Sequence, residues 1–381
     1  VNQEKEKKGG LIERIAEGYF YGEGNRFIAH KFDDELSQQE LRSIRKIRNK
    51  ALGWAALAGA CGVAAYYLPT HFWPEAFAIW DVNWSVFGTV LEIPVLATLF
   101  GVVLAILEIY LLVFINIRAV HKIAVVCGFP DREDPDFDLH VQSLVNIGIE
   151  KNAKNELSIG LNPWQGYTRY QLLLIFVWNK VKATLSNMLF KMIIRKILGR
   201  YALRIVVDLA GIPVFASWNA YTSAQVLKQA RVRILAPSVI QYTILYLRTK
   251  YANNEEFKHL VYDILQFLAI KKRSFHENHY LLSINLLRAF NIDPKSEHPL
   301  EGDFYEKLKT FPQEMQEDIA KLLVVGIIID GSLSPQEKRA IRDMGEHGVM
   351  PYDVAKVKHI MQLFSTGSGI DVLKKELHMQ Y

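Results

Sequence analysis

Between Ala51 and Pro74 the chain carries no Asp, Glu, Lys or Arg, and a second apolar stretch runs from about Pro94 to Ile117. A helix needs ~20 mostly apolar residues to cross ~30 Å of hydrocarbon, and core helices of soluble proteins rarely run that far without charge. The stretches Ala51 to about Leu68 and Pro94 to Ile117 therefore predict a transmembrane hairpin. The segment between them has Glu75, Asp81 and Glu92 but no Lys or Arg. Arg42, Arg45, Lys46, Arg48 and Lys50 precede the first span, and Arg118 and Lys122 follow the second. The positive-inside rule then puts both flanks and both termini in the cytoplasm, with the 69–92 loop outside. Trp73, Trp80 and Trp84 stand where an interfacial aromatic belt belongs. Pro94 suits the first turn of a helix, where its missing N–H costs nothing.

Although 50% of residues are apolar, 22% are charged, so most of the chain reads as soluble. Two cysteines, Cys61 and Cys127, are too few for a disulfide framework. No cleavable signal peptide is evident. Glu108 falls inside the second span, ~21 Å along the helix from Pro94 and in the inner leaflet. An intramembrane carboxylate is a functional candidate by default. The simpler alternative is a protonated group, or one paired with a residue of another helix.

Residues 118–142 read as a linker, because Pro130-Asp-Arg-Glu-Asp-Pro135 stops any helix. From Leu157 to Asn254 there is one acid, Asp208, against thirteen Lys and Arg. Lys180, Lys182, Lys191, Arg195, Lys196, Arg200 and Arg204 flank Leu185, Met188, Leu189, Met192, Ile193 and Ile197, which recur at spacings of three and four. A basic amphipathic helix of this kind predicts binding to an anionic membrane surface, at ~1 kcal/mol per nearby cation. No nucleic-acid-binding motif accompanies the basic face, so no nucleic-acid partner is expected. The apolar run Ile205–Thr222 is interrupted by Asp208 and Gly211-Ile-Pro213. Pro213 is expected to break it, giving a half-inserted segment or a buried helix–turn–helix rather than a third span. Asp208 joins Glu108 as a membrane candidate. At Leu198-Gly199-Arg200, and from Gly211-Ile-Pro213 through Asn219 to Ala230, the chain resembles the EcsC family. The likeness covers about 143–236. It implies a bacterial, membrane-associated protein linked with transport or secretion, and it brings no catalytic residues.

After position 254 nineteen acids stand against sixteen Lys and Arg. Leu260, Ile264, Leu265 and Leu268, then Leu281, Ile284 and Leu287, follow helical periodicity, and no run alternates like a strand at length. The expectation is an all-helical domain. Within it stands Leu322-Leu-Val-Val-Gly-Ile-Ile-Ile-Asp330-Gly331-Ser-Leu-Ser334-Pro335-Gln-Glu337. Local physics explains this stretch: Gly331 caps one helix in the left-handed conformation, and Ser334, Pro335 and Glu337 open the next as N-cap, N1 and N3 of a capping box. The stretch also resembles the signature of TerB-like domains, named for tellurite-resistance proteins. That resemblance implies a small helical bundle, often fused to membrane or signalling modules. It makes Asp330 and Glu337 candidate ligands for a divalent cation, though two carboxylates fall short of the six or so oxygens such an ion takes.

A second copy of the motif aligns 58 residues earlier, Ile270-Lys-Lys272-Arg273-Ser274-Phe275 on Ile328–Leu333. Lys272 stands for Asp330 and His279 for Glu337, so one of two acidic sites has been lost. His276-Glu277-Asn278-His279 has two ligand types for zinc but no further obvious ligand, and a solvated helix start is the simpler reading. There is no phosphate loop, no His-Glu-x-x-His helix and no nucleophile elbow; Ser365-Thr-Gly-Ser-Gly369 lacks the lysine a P-loop needs. The chain is thus expected to be a non-enzyme with no cofactor.

These readings combine into an all-α protein of five regions. They are an N-terminal helical segment (1–50), the transmembrane hairpin (51–117), the linker (118–142), a basic EcsC-like region (143–236) and a TerB-like bundle (237–381). The expected role is a scaffold or adaptor in the bacterial inner membrane, serving an envelope-stress, transport or secretion assembly. Its expected partners are the lipid bilayer, anionic lipids, an unidentified protein and possible further copies of itself. The alternatives are a lipid- or ion-handling component of an oligomer and a divalent-cation-responsive sensor.

Overall fold

The computed structural model describes residues 11–21, 36–77, 81–86, 89–130, 134, 136–149, 161, 165, 168, 211–272, 276–294 and 299–380. Among them the chain is helical except for one two-stranded hairpin. It forms two compact units: Val1–Arg45, Val120–Tyr167 and Lys228–Tyr381 make one, Lys46–Ala119 and Thr168–Leu227 the other.

Helix α1 is Leu11–Tyr21 and α2 is Gln38–Phe72. Ser37 opens α2 with a capping box: its Oγ accepts from the Glu40 N–H at 3.2 Å, and Glu40 Oε2 accepts from the Ser37 N–H at 2.7 Å. At 35 residues α2 is ~52 Å long, more than a bilayer core requires. A short α3, Pro74–Phe77, follows. Strands β1 (Asp81–Val86) and β2 (Thr89–Pro94) then pair antiparallel. Their register sets Asp81 against Pro94, Asn83 against Glu92 and Val86 against Thr89. Pro94 is therefore the last residue of a strand, and α4 begins one residue later, spanning Val95–Val126. Helices α2 and α4 are each long and apolar enough to cross a membrane.

The side chains of α4 agree with an apolar surrounding. Leu99, Val102, Val103, Ile106, Leu107, Ile109, Tyr110 and Leu111 are all exposed. At about 100° per residue they spread over one continuous arc of roughly 200°, a wide apolar face that water does not tolerate at this size, with Glu108 on the opposite side.

Residues 118–142 hold more structure than a linker. They include the end of α4 and the start of α5, Phe137–Gly148, which Tyr21 of α1 touches by donating its hydroxyl to Asp138 at 3.0 Å. The bundle comprises α6 (Gly211–Tyr251, from Lys228 onward), α7 (Glu255–Lys272), α8 (Glu277–Ala289), α9 (Phe304–Lys309), α10 (Gln313–Ile328), α11 (Pro335–Glu346), α12 (Val354–Thr366) and α13 (Asp371–Glu376). Helix α10 is its axis. Leu322 through Val325, Ile327 and Ile328 are all buried, so its second half is apolar all round and needs neighbours on every side. Gly326 lets α7 come close: a Cβ there would lie 2.6 Å from Leu268 Cδ1.

The turn after α10 follows the sequence expectation closely. Gly331 has φ +67°, and the box at α11 is complete, with Ser334 Oγ accepting from the Glu337 N–H at 3.2 Å and Glu337 Oε2 accepting from the Ser334 N–H at 2.6 Å. Gly331 is needed twice over, because a Cβ would also stand 2.5 Å from Val232 Cγ2. Left-handed backbone costs a non-glycine residue ~1–2 kcal/mol and overpacking typically ~1–3 kcal/mol. Gly331→Ala should accordingly destabilise the bundle by roughly 2–5 kcal/mol, read as a lowered Tm of the chain in lipid nanodiscs. Val232→Ala added to it should return only the steric share.

Candidate functional site

Two polar clusters contain Glu108, Asp330, Glu337, His276 and His279, which the sequence singled out. The first lies in the unit that holds the spans. Glu108 of α4 accepts a hydrogen bond from Asn219 Nδ2 of α6 at 2.6 Å. Two glycines of α2 face the pair. A Cβ at Gly62 would stand 2.7 Å from Glu108 Oε2, and one at Gly59 would stand 2.7 Å from both Asn219 Nδ2 and the Phe215 carbonyl oxygen. Small residues are what allow membrane helices to approach a polar partner this closely. Glu108 thus has a partner on another helix, the simpler of the two alternatives. Asp208 and the cations Lys180, Lys182, Lys191, Arg195, Lys196, Arg200 and Arg204 lie outside the described residues.

Of the run Ile205–Thr222, residues 205–210 lie outside the described residues, and Pro213 stands near the start of the part that is described. It occupies the first turn of α6, where a helix makes no use of its N–H, and the helix continues beyond it.

The second cluster joins the two copies of the bundle motif. Lys272, at the end of α7, is 2% exposed in its side chain. Its ammonium lies 2.9 Å from Asp330 Oδ2 and 2.9 Å from the Ile327 carbonyl oxygen, and it also pairs with Glu337 Oε1. One buried ammonium thus donates to a helix-end carbonyl and is ion-paired with two carboxylates. Burial raises the Asp330 pKa, but the charge of Lys272 outweighs it and holds the carboxyl below its usual range.

The histidines of the first copy are also used. His276 and His279 form the N-terminal box of α8: His276 Nδ1 accepts from the Asn278 N–H, and His279 Nδ1 accepts from the His276 N–H, both at 3.2 Å. His279 Nε2 then carries the proton and donates to the Gly326 carbonyl oxygen at 2.8 Å. This is a helix start, as expected, but a buried rather than a solvated one. Burial lowers the pKa of His276 to about 4 and of His279 to about 3. With both ring nitrogens of His279 engaged and Glu277 turned towards Asn146 and Arg233, the four residues do not converge on a metal. Among the described residues, no group of three or more His, Cys, Asp or Glu side chains is placed to hold one.

Asp330 and Glu337 do not fit a divalent ion as they stand. The place such an ion would take between them holds the Lys272 ammonium, and one Glu337 oxygen is committed to the cap.

No protein-family model, no curated protein and no solved structure matches the chain. The TerB-like and EcsC-like resemblances therefore rest on the residues quoted for them.

Two buried networks were not anticipated. Asp318 on α10 accepts from the Tyr246 hydroxyl at 2.6 Å, the Tyr251 hydroxyl at 2.9 Å, Lys250 at 2.9 Å and Lys321 at 2.8 Å. Burial opposes its charge, and these donors more than compensate, so its pKa is lowered. Arg233, fully buried on α6, donates to Ser143 Oγ at 2.6 Å and to His140 Nδ1 at 2.9 Å. That bond leaves the His140 proton on Nε2, facing Asp134 at 3.3 Å, and burial with the Arg233 charge lowers the His140 pKa to about 3. Tyr246, Lys250 and Tyr251 lie within about a turn and a half of one helix, but their common partner is 67 or more residues away. No spacing rule connects residues that far apart.

Proposed function

We propose that this chain is a membrane-anchored helical scaffold that holds a bundle against the cytoplasmic face of a bacterial inner membrane and presents it to a protein partner. The observation that carries this reading is how the bundle uses its charges. Lys272, Asp330, Glu337 and Asp318 are buried in ion pairs within the fold, so the conspicuous acidic motif is spent on joining two halves. A fold stiffened in this way suits a surface of fixed shape. The tether supports the same reading, because α2 and α4 suffice in length and composition to hold the chain in a bilayer. The basic flanks of the spans assign the bundle to the cytoplasm, and Lys180 to Arg204 would add contact with anionic lipid. The TerB-like and EcsC-like resemblances add an envelope-stress, transport or secretion setting.

The test exchanges residues 252–381 for an unrelated soluble helical domain and compares chemically cross-linked neighbours in cells with those of the intact chain. Membrane insertion should persist while the neighbours of the intact chain are lost. Recovery of the same neighbours would overturn the scaffold reading.

A further inference from the structure

Helix α6 is inside-out over its first half. Phe215, Trp218 and Tyr221 are 47%, 53% and 58% exposed, whereas Asn219 and Ser223 are 5% and 0% exposed. A helix in water shows the reverse, with aromatic residues inside and amides outside. No charge occurs from Gly211 to Leu227, and the first is Lys228.

We propose that Gly211–Leu227 is a third helix immersed in the bilayer, with its Phe215, Trp218 and Tyr221 face on lipid acyl chains and Asn219 turned to the two spans. The proposal rests on the reading of α2 and α4 as spans. Lipid is the occupant argued for because the face is continuous in character with theirs: Trp54, Leu57, Leu107 and Tyr110 are exposed in the same unit.

Depth gives an independent argument. At ~1.5 Å per residue, Asn219 lies about 14 Å along α6 from Lys228, and Glu108 lies about 15 Å along α4 from Arg118. Gly59 lies about 14 Å along α2 from Lys50. Each distance runs from the nearest basic residue on that helix, and each matches half of a ~30 Å hydrocarbon core. Three helices thus bring their contacting residues to one level near the membrane midplane. The Glu108–Asn219 hydrogen bond at 2.6 Å and the two glycine contacts are what hold them there. A carboxylate at that depth needs a partner, and Asn219 reaches it only if α6 is itself inside the membrane. Phe215, ~20 Å from Lys228, would lie beyond the midplane.

Spin labels on single cysteines test this in the full chain reconstituted in phospholipid vesicles, with Cys61 and Cys127 replaced. Labels at Phe215→Cys and Trp218→Cys report on α6, one at Leu107→Cys on the second span, and one at Lys258→Cys on water. The ratio of collisions with oxygen to collisions with an aqueous nickel chelate should be several-fold higher at 215 and 218 than at 258, and close to that at 107. A water-like ratio at 215 and 218 with a lipid-like one at 107 overturns the proposal alone. A water-like ratio at 107 overturns the two-span reading and this proposal with it. Protection from both reagents at 215 and 218 would mean that protein, such as a second copy of the chain, covers the face, and that too overturns lipid as its occupant.

Discussion

Lys272→Met is expected to cost the bundle about 3–5 kcal/mol, the range seen when one member of a buried ion pair is removed and its partner stays charged. The side chain is 2% exposed, and its removal strands two carboxylates, Asp330 and Glu337, inside the fold. It also frees the Ile327 carbonyl oxygen at the end of α10. The loss should appear as a lower urea midpoint for the full chain in nanodiscs, together with faster hydrogen exchange along α10. The triple variant Lys272→Met, Asp330→Asn, Glu337→Gln removes all three charges and should recover most of the loss. The pair's value is set by the cost of breaking it rather than by its net attraction. Ser334→Ala is a useful comparison, because loss of that cap alone costs ~1 kcal/mol. A Lys272→Met loss no larger than the cap's would mean that water reaches the cluster.

The same cluster shows what the sequence could convey. The 58-residue offset relates Lys272 to Asp330, His276 to Ser334 and His279 to Glu337, and in the structure each copy begins its second helix with an N-terminal box at those positions. The repeat, the glycine turn and the Ser334 box were legible because capping and left-handed turns are decided by residues three or four apart. That the copies face each other, so that the lysine of one satisfies the acids of the other, was not. It depends on how α7 packs on α10, which turns on Gly326 and Leu268. The substitution of Lys for Asp was visible, but it read as the loss of a site when it is the making of a bond. The apolar stretches of α2 and α4 were legible for the opposite reason: length and absence of charge suffice, and no partner need be known. The hairpin between them was missed although Asp81–Val86 alternates, since six residues between two long helices give little for a period to show. Asn219 stood within the EcsC-like pattern, yet only the fold brings it to Glu108.

Stability should fall steeply between pH 6.5 and 5. His140, His276 and His279 are held neutral in the fold, with pKa values lowered to about 3, about 4 and about 3 by burial. The unfolded chain protonates each near 6.5. Below that value the unfolded state therefore binds more protons than the folded one, and stability is lost as pH falls. Each histidine contributes ~1.4 kcal/mol per pH unit over this window, so the three together remove roughly 4 kcal/mol by pH 5.5. Asp318 and Asp330, whose pKa values are lowered, act in a separate range, since their contribution is kept above pH 3.8 and lost only below it. Glu277 acts in the opposite sense. Burial raises its pKa, so it favours the fold as the pH falls towards 4.5 and returns part of the loss. Against a domain stability of ~5–15 kcal/mol, the histidines still dominate above pH 5. Urea midpoints of the full chain between pH 7.5 and 5 would measure the slope, and His279→Gln should reduce it by about one third, the share of one site in three. A midpoint independent of pH across that range would mean that the three rings are protonated in the fold, with the His279 bond to Gly326 and the His140 bond to Arg233 made in some other form.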